Sequence, residues 1–288
     1  MSVGFAIPRI GAFSVWRQKA RLALHQNLAP DQVTWREEAA PQHDLFGTDA
    51  PSCGARGQRR FAVPQTFLDL AVPVCLHREV QRFALLYEAL WRLQREAPFM
   101  RNPADPLLAR LSGLERAVLR DAHKMKSFLR FRDVGVAASG RRRFAAWFEP
   151  DHYPLELVAE FFIRRFGDMD WIILTPDASL CSVNGEVVLG EGSVRPDLPK
   201  DAAEDLWCTY YATVFNPARV SPRTMQGHMP KKYWRNLPEA ELIPGLIRGA
   251  EARHRAMVAL APPQRDRQPP DGSDTDLKPL CFPQPREQ

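Results

Sequence analysis

The feature that most constrains the fold is a change of hydrophobic period at residue 129. Up to that point Leu107, Leu111, Leu114, Val118, Ala122, Met125 and Leu129 recur at steps of three and four. That is the apolar stripe of an amphipathic helix, with Arg116, Arg120 and His123 on the opposite face. Beyond it the period becomes two. In SFLRFRDV, Leu129 and Phe131 point one way while Arg130 and Arg132 point the other. After the turn-like Ala138-Ser139-Gly140, Phe144, Ala146 and Phe148 alternate with Arg143, Ala145, Trp147 and Glu149. The pattern predicts a helix leading into a hairpin, one face apolar and the other bearing Arg130, Arg132, Arg143, Trp147 and Glu149.

Charge is concentrated in the same stretch. Between Arg120 and Arg143 the cations are Arg120, Lys124, Lys126, Arg130, Arg132, Arg141, Arg142 and Arg143, against the acids Asp121 and Asp133. The surplus of six compares with a net +5 for all 288 residues, so the rest of the chain is near neutral. A local anionic partner is therefore expected. Guanidiniums beside an indole suit phosphates and stacked bases, through bidentate charge pairing and a flat apolar platform. The alternative is a solvated basic strand face.

A second cationic stretch is FNPARVSPRTMQGHMPKKYWRNLP. No acid occurs between Asp205 and Glu239, while Arg219, Arg223, Lys231, Lys232 and Arg235 supply positive charge beside Tyr233 and Trp234. Here too a bland reading stands beside the functional one: the aromatics pack into the core and the lysines shield them.

With 45% apolar residues the chain can bury a full core, as one large domain or one domain with appendages. Residues 1–36 read as a strand and helix segment, 37–60 as a loop or mobile insertion, 61–260 as the main domain, and 261–288 as a proline-rich disordered tail. Helices are expected from Pro64, through Phe83 to Trp91, from Pro154, and through Leu206, Tyr210 and Val214. Trp171–Thr175, Ser179–Val183 and Glu186–Leu189 read as a three-strand meander turning at Asn184-Gly185. The expected class is α+β, with about five mostly antiparallel strands surrounded by helices.

No apolar run is long enough to span a bilayer, and the N-terminus lacks a secretory pattern, so a cytoplasmic protein without membrane contact is expected. Five scattered cysteines without a C-x-x-C pair argue against structural zinc or iron–sulfur, and no metal or cofactor is expected. The nucleotide loops G-x-G-x-x-G and G-x-x-x-x-G-K, the zinc motif H-E-x-x-H and the nucleophile elbow G-x-S-x-G do not occur.

For acid–base chemistry the candidates are Glu149 and His152 in W-F-E-P-D-H, with His123 on the basic helix face. The competing reading of that motif is that Asp151 or His152 caps the helix opening at Pro154.

The strings RDAHKMKSFLRFR, FAAWFEPDH, RRFGDMDWIILTPDAS, DLWCTYYATVFNPAR and MPKKYWRNLPEAELIP, with FSVWRQKAR and HREVQRFALLYEALWRL upstream, resemble a bacterial family known mostly as a domain of unknown function. Its members are labelled proteins of DNA metabolism and DNA repair. The resemblance runs from about Phe5 to about Val258 and excludes 39–58 and the tail. It implies association with a radical-SAM repair or modification protein, or with a uracil-DNA glycosylase-like domain fused behind it in other chains. It supplies no catalytic residues. The matching positions are His123, Lys124, Arg130, Arg132, Trp147, Glu149, His152, Asn216, Arg219, Lys231, Lys232, Tyr233 and Trp234.

Together these observations lead to the expectation of a DNA-binding accessory protein of DNA repair or base modification that works with a partner enzyme, with activity of its own left open. Its DNA contacts would come from Arg120, Lys124, Lys126, Arg130, Arg132, Arg143, Trp147, Arg219, Lys231, Lys232, Tyr233 and Trp234. The rivals are an enzyme acting on a flipped or damaged base and an interaction module docking an acidic protein.

Overall fold

The computed structural model describes residues 2–38, 61–95, 99–102, 104–137, 140–197, 202–215 and 221–250, with isolated positions to 259. The expected insertion from 39 to 60 and the tail from 261 lie outside the described residues. Strand β1 (Val3–Ile7), helix α1 (Ala12–His25) and strand β2 (Val33–Glu37) come first. β1 and β2 pair in parallel, Phe5 opposite Trp35, so α1 is the crossover between them. Helices α2 (Gln65–Cys75) and α3 (Arg82–Leu93) pack on this unit. Trp16, Phe67, Phe83, Leu86 and Tyr87 form the centre of its core.

Helix α4 (Pro106–Phe128) is the beam of the molecule. Asp105 starts it, its carboxylate accepting from Leu107 N at 2.9 Å and Leu108 N at 3.3 Å, with Pro106 at the first helical position. Its first half gives Leu107, Leu108 and Leu111 to the N-terminal core. Its last turns give Ala122 and Met125 to a second core, built on a five-stranded sheet.

That sheet runs β3 (Arg132–Val136), β4 (Arg142–Trp147), β5 (Asp170–Leu174), β6 (Ala178–Val183), β7 (Glu186–Glu191), in spatial as in sequence order. The fold is α+β, and both the hairpin and the meander are present. They are joined by a parallel pair, β4 with β5, because helix α5 (Leu155–Arg165) carries the chain back across the sheet. The register places Ala146, Ile173, Leu180 and Leu189 in one row across four strands. This row faces Val158 and Phe162 of α5 and Met125 of α4 in one core. The β6–β7 turn uses Asn184 (φ 51°) and Gly185 (φ 83°), both left-handed, as a tight hairpin requires. Gly135 (φ 105°) lies at an irregularity in the β3–β4 pairing.

Among the described residues three helices follow, α6 (Ala202–Val214), α7 (Pro222–His228) and α8 (Ile243–Arg248), with 3-10 turns at Lys231–Asn236 and Pro238–Glu241 between the last two. The expected α6 stripe does not pack inward: Leu206, Tyr210 and Val214 are all exposed. No helix among the described residues is long and apolar enough to cross a membrane.

Arg82 locks the N-terminal core to its surroundings. It is 1% exposed and donates to Cys75 O at 2.9 Å, Glu79 O at 3.0 Å and Glu37 Oε2 at 2.7 Å. Replacing it strands Cys75 O, while Glu79 O keeps the backbone N–H of residue 82 and Glu37 keeps Arg9. Arg82→Met is expected to cost roughly 1–3 kcal/mol in urea unfolding, whereas an exposed change such as Arg164→Met falls within about 0.5 kcal/mol.

Candidate nucleic-acid interface

Phe144, Ala146 and Phe148 belong to the face of β4 that packs on α4 and α5. By alternation, Arg143, Ala145 and Trp147 turn to the other face, and Arg132 on β3 stands directly opposite Ala145. A cleft of about 350 Å³ opens there, lined by Arg130, Arg132 and Trp147 with Arg195, Asp197 and Asn236. The hairpin supplies its floor. Its other wall comes from the segment after β7, pinned by Ser193 N donating to Thr175 O at 3.0 Å, and from the turn Lys231–Asn236. Arg195 Nη2 donates to Arg235 O at 3.3 Å and joins these two pieces.

The cations that singled out this stretch are extensively paired with acids of the same chain. Arg130 reaches Glu239 at 3.0 Å, Arg132 reaches Glu204 at 2.7 Å, Arg141 reaches Asp170 at 2.7 Å, and Arg142 reaches Asp133 at 2.6 Å. Arg235 pairs with Glu149, and Lys232 with Asp151. Hydrogen bonds from Asn184 N and Arg141 hold the Asp170 carboxyl below the usual range. Arg143 and Arg195 are exposed, Arg195 on the wall of the cleft.

The remaining expected contacts are scattered. Arg120 and Lys126 are exposed on α4, Lys126 lying 5.4 Å from the Phe161 ring. Lys124 donates to His228 O at 3.0 Å. Lys231 and Lys232 are exposed, and Trp234 is half-buried with its Nε1 donating to Met229 O at 3.0 Å. Arg219 and Asn216 lie outside the described residues.

Two aromatics require correction. Tyr233 is no surface platform: it is 1% exposed and stacks on Phe148 at 5.0 Å and Phe128 at 5.8 Å. Trp147 lines the cleft yet is 8% exposed, its Nε1 donating to Glu149 Oε1 at 2.9 Å, so its ring is no open stacking platform. The capping expectation also fails: Pro154 is the N-cap of α5, with no side-chain hydrogen bond.

The three acid–base candidates have separate surroundings. Glu149 is held by Trp147 and Arg235, while His123 is exposed on α4. His152 stacks on His77, ring centroids 4.0 Å apart, and its Nδ1 lies 3.4 Å from Arg78 N. Among the described residues no group of three His, Cys, Asp or Glu is placed to hold a metal ion.

His77 carried no sequence signal, being a lone histidine in a loop that meets the W-F-E-P-D-H loop only through the fold. Asp121 did carry one. It falls three residues after Val118 and four before Met125, on the buried face of the α4 stripe. Its carboxylate accepts from His152 N at 2.8 Å and Tyr233 Oη at 3.2 Å. Burial pushes its carboxyl up, against the pull of those two donors.

Burial pushes His77 down to about 4, and nearby His152 adds to the effect. His152 is lowered as well, chiefly by burial. A depressed imidazole is neutral in the folded state but takes up a proton on unfolding, so its stability contribution is present above the unfolded value and lost as pH falls. The window for His77 runs from its ordinary 6.5 down to about 4. NMR titration is expected to place His77 near 4, and urea midpoints are expected to fall less steeply through that window in His77→Gln than in wild type.

Among known families, residues 80–239 match the model described as a domain of unknown function, DUF4130. No curated protein and no solved structure matches the chain. The matched stretch is narrower than the resemblance expected from about Phe5 to about Val258. It still contains every residue that lines the cleft, together with the acids Glu204 and Glu239 that hold its arginines. Because the match covers more than half of the chain, the protein belongs to this family of unknown function, DUF4130.

Proposed function

We propose that this is a DNA-binding accessory protein of DNA repair or base modification, which holds DNA at the arginine cleft and presents it to a partner enzyme. The observation that carries this reading is the meeting of Arg130, Arg132 and Arg195 with Trp147 and Asn236 in one cleft of about 350 Å³. Guanidiniums recognise phosphate in a planar, bidentate manner, and the Asn236 amide adds base-directed chemistry. The partner class that the sequence resemblance implies is a radical-SAM protein or a uracil-DNA glycosylase-like protein.

Ion pairing decides which residues can test this reading. Arg130 neutralises Glu239, which is 4% exposed, so removing it would leave a buried carboxylate uncompensated. Arg143 and Arg195 are exposed and carry no such burden. Fluorescence anisotropy with single-stranded and duplex DNA across a salt series is expected to show affinity falling steeply with salt. Arg143→Ala and Arg195→Ala are each expected to lower the slope of log K against log salt by about one, with an unchanged melting temperature. DNA binding insensitive to both substitutions would remove the cleft from the account. An absence of binding at low salt would remove DNA.

A further inference from the structure

We propose that the cleft receives a single nucleotide lifted out of base pairing, rather than the groove of an intact duplex. The inference rests on the DNA reading above and names what the site takes. Size is the first argument. A cavity of about 350 Å³ stands at the small end of the roughly 300–1,000 Å³ typical of small-molecule pockets. That is room for one nucleotide, whereas a duplex is met by an element that projects into its groove.

Charge is the second argument. A duplex presents one phosphate charge per roughly 1.7 Å of axis and favours an extended row of cations. Here Arg130, Arg132 and Arg142 are each held by an acid of the same chain, at 3.0, 2.7 and 2.6 Å. What the cleft offers is compact: Arg195 and Asp197 on its wall, and two guanidiniums that their carboxylates hold in place. One phosphate suits this arrangement better than a backbone track.

Unmet hydrogen bonding is the third argument. Asn236 lines the cleft, and its Nδ2 is buried without a partner. A buried polar atom is costly to leave unmet, and a turn of the Asn236 side chain toward a ligand in the cleft would satisfy it. The Asn236 amide donates through nitrogen and accepts through oxygen, the pattern that reads the edge of a base. An intact duplex hides the Watson–Crick edge, and a flipped or single-stranded base exposes it.

The test uses the full chain and two labelled short duplexes, one perfect and one with a single unpaired central nucleotide. The unpaired form is expected to bind at least about tenfold tighter. Asn236→Ala is expected to abolish that preference without lowering the melting temperature. Should Asn236→Ala fail to fold, Arg195→Ala on the cleft wall replaces it and is expected to lessen the preference. Displacement of the labelled DNA by deoxynucleoside monophosphates, but not by inorganic phosphate, would show that free nucleotides enter too. Binding of the unpaired duplex without such displacement would confine the nucleotide to a strand. Equal affinity for the two duplexes would overturn the pocket and leave the DNA reading standing, as would displacement by phosphate alone. Failure to bind either duplex or single-stranded DNA at low salt would overturn both.

Discussion

The Asp121 carboxylate, 3% exposed on α4, accepts hydrogen bonds from the backbone of His152 and the hydroxyl of Tyr233 and so brings three separate segments to one point. The loop after β4 is fixed from one side and the turn Lys231–Asn236 from the other. Tyr233, stacked between Phe128 and Phe148, is the plug that seats this turn. Arg235 and Asn236 follow it in the same turn, where Arg235 pairs with Glu149 and Asn236 lines the cleft. The wall of the candidate site is thus a consequence of one buried acid on the far side of the sheet. A charged group buried this deeply is tolerable because its two donors offset part of the desolvation that raises its pKa.

The basic stretch has an architectural use as well as a proposed functional one. Glu239 is too buried to stand as a carboxylate without a counterion, and Arg130 provides it across 109 residues of chain. Arg132 ties β3 to α6 through Glu204, and Arg142 clasps Asp133 across the hairpin. These pairs hold the arginines in fixed positions. Preorganised guanidiniums lose little entropy on meeting an anion, but the acids beside them lower the local potential. Such a surface is suited to a few well-placed contacts rather than to indiscriminate attraction of polyanions.

The sequence made legible what is encoded by near neighbours. Periodicity located α4, the β3–β4 hairpin, the β5–β7 meander and the Asn184-Gly185 turn, and it placed Arg132, Arg143 and Trp147 on one strand face. It did not show that Arg195 and Asn236, far along the chain, close over that face, or that Trp147 and Tyr233 are buried. Nor could it reveal the parallel β4–β5 pair, the stacking of His77 on His152, or the carboxylates that pair with the arginines. Those are long-range pairings, and an arginine bound to a distant glutamate has the same local pattern as one in solvent. Asp121 is the instructive case, since its place on the α4 stripe already set it on the buried face.

The central claim is that DNA meets this protein at the hairpin cleft. Hydrogen–deuterium exchange with and without saturating single-stranded DNA tests it most directly, because it reports every segment at once. The account predicts slowed exchange in residues 129–136, 142–148, 194–197 and 231–237, with little change in α1 to α3. Protection confined to α1, α2 or α3, with the cleft segments unaltered, would contradict it.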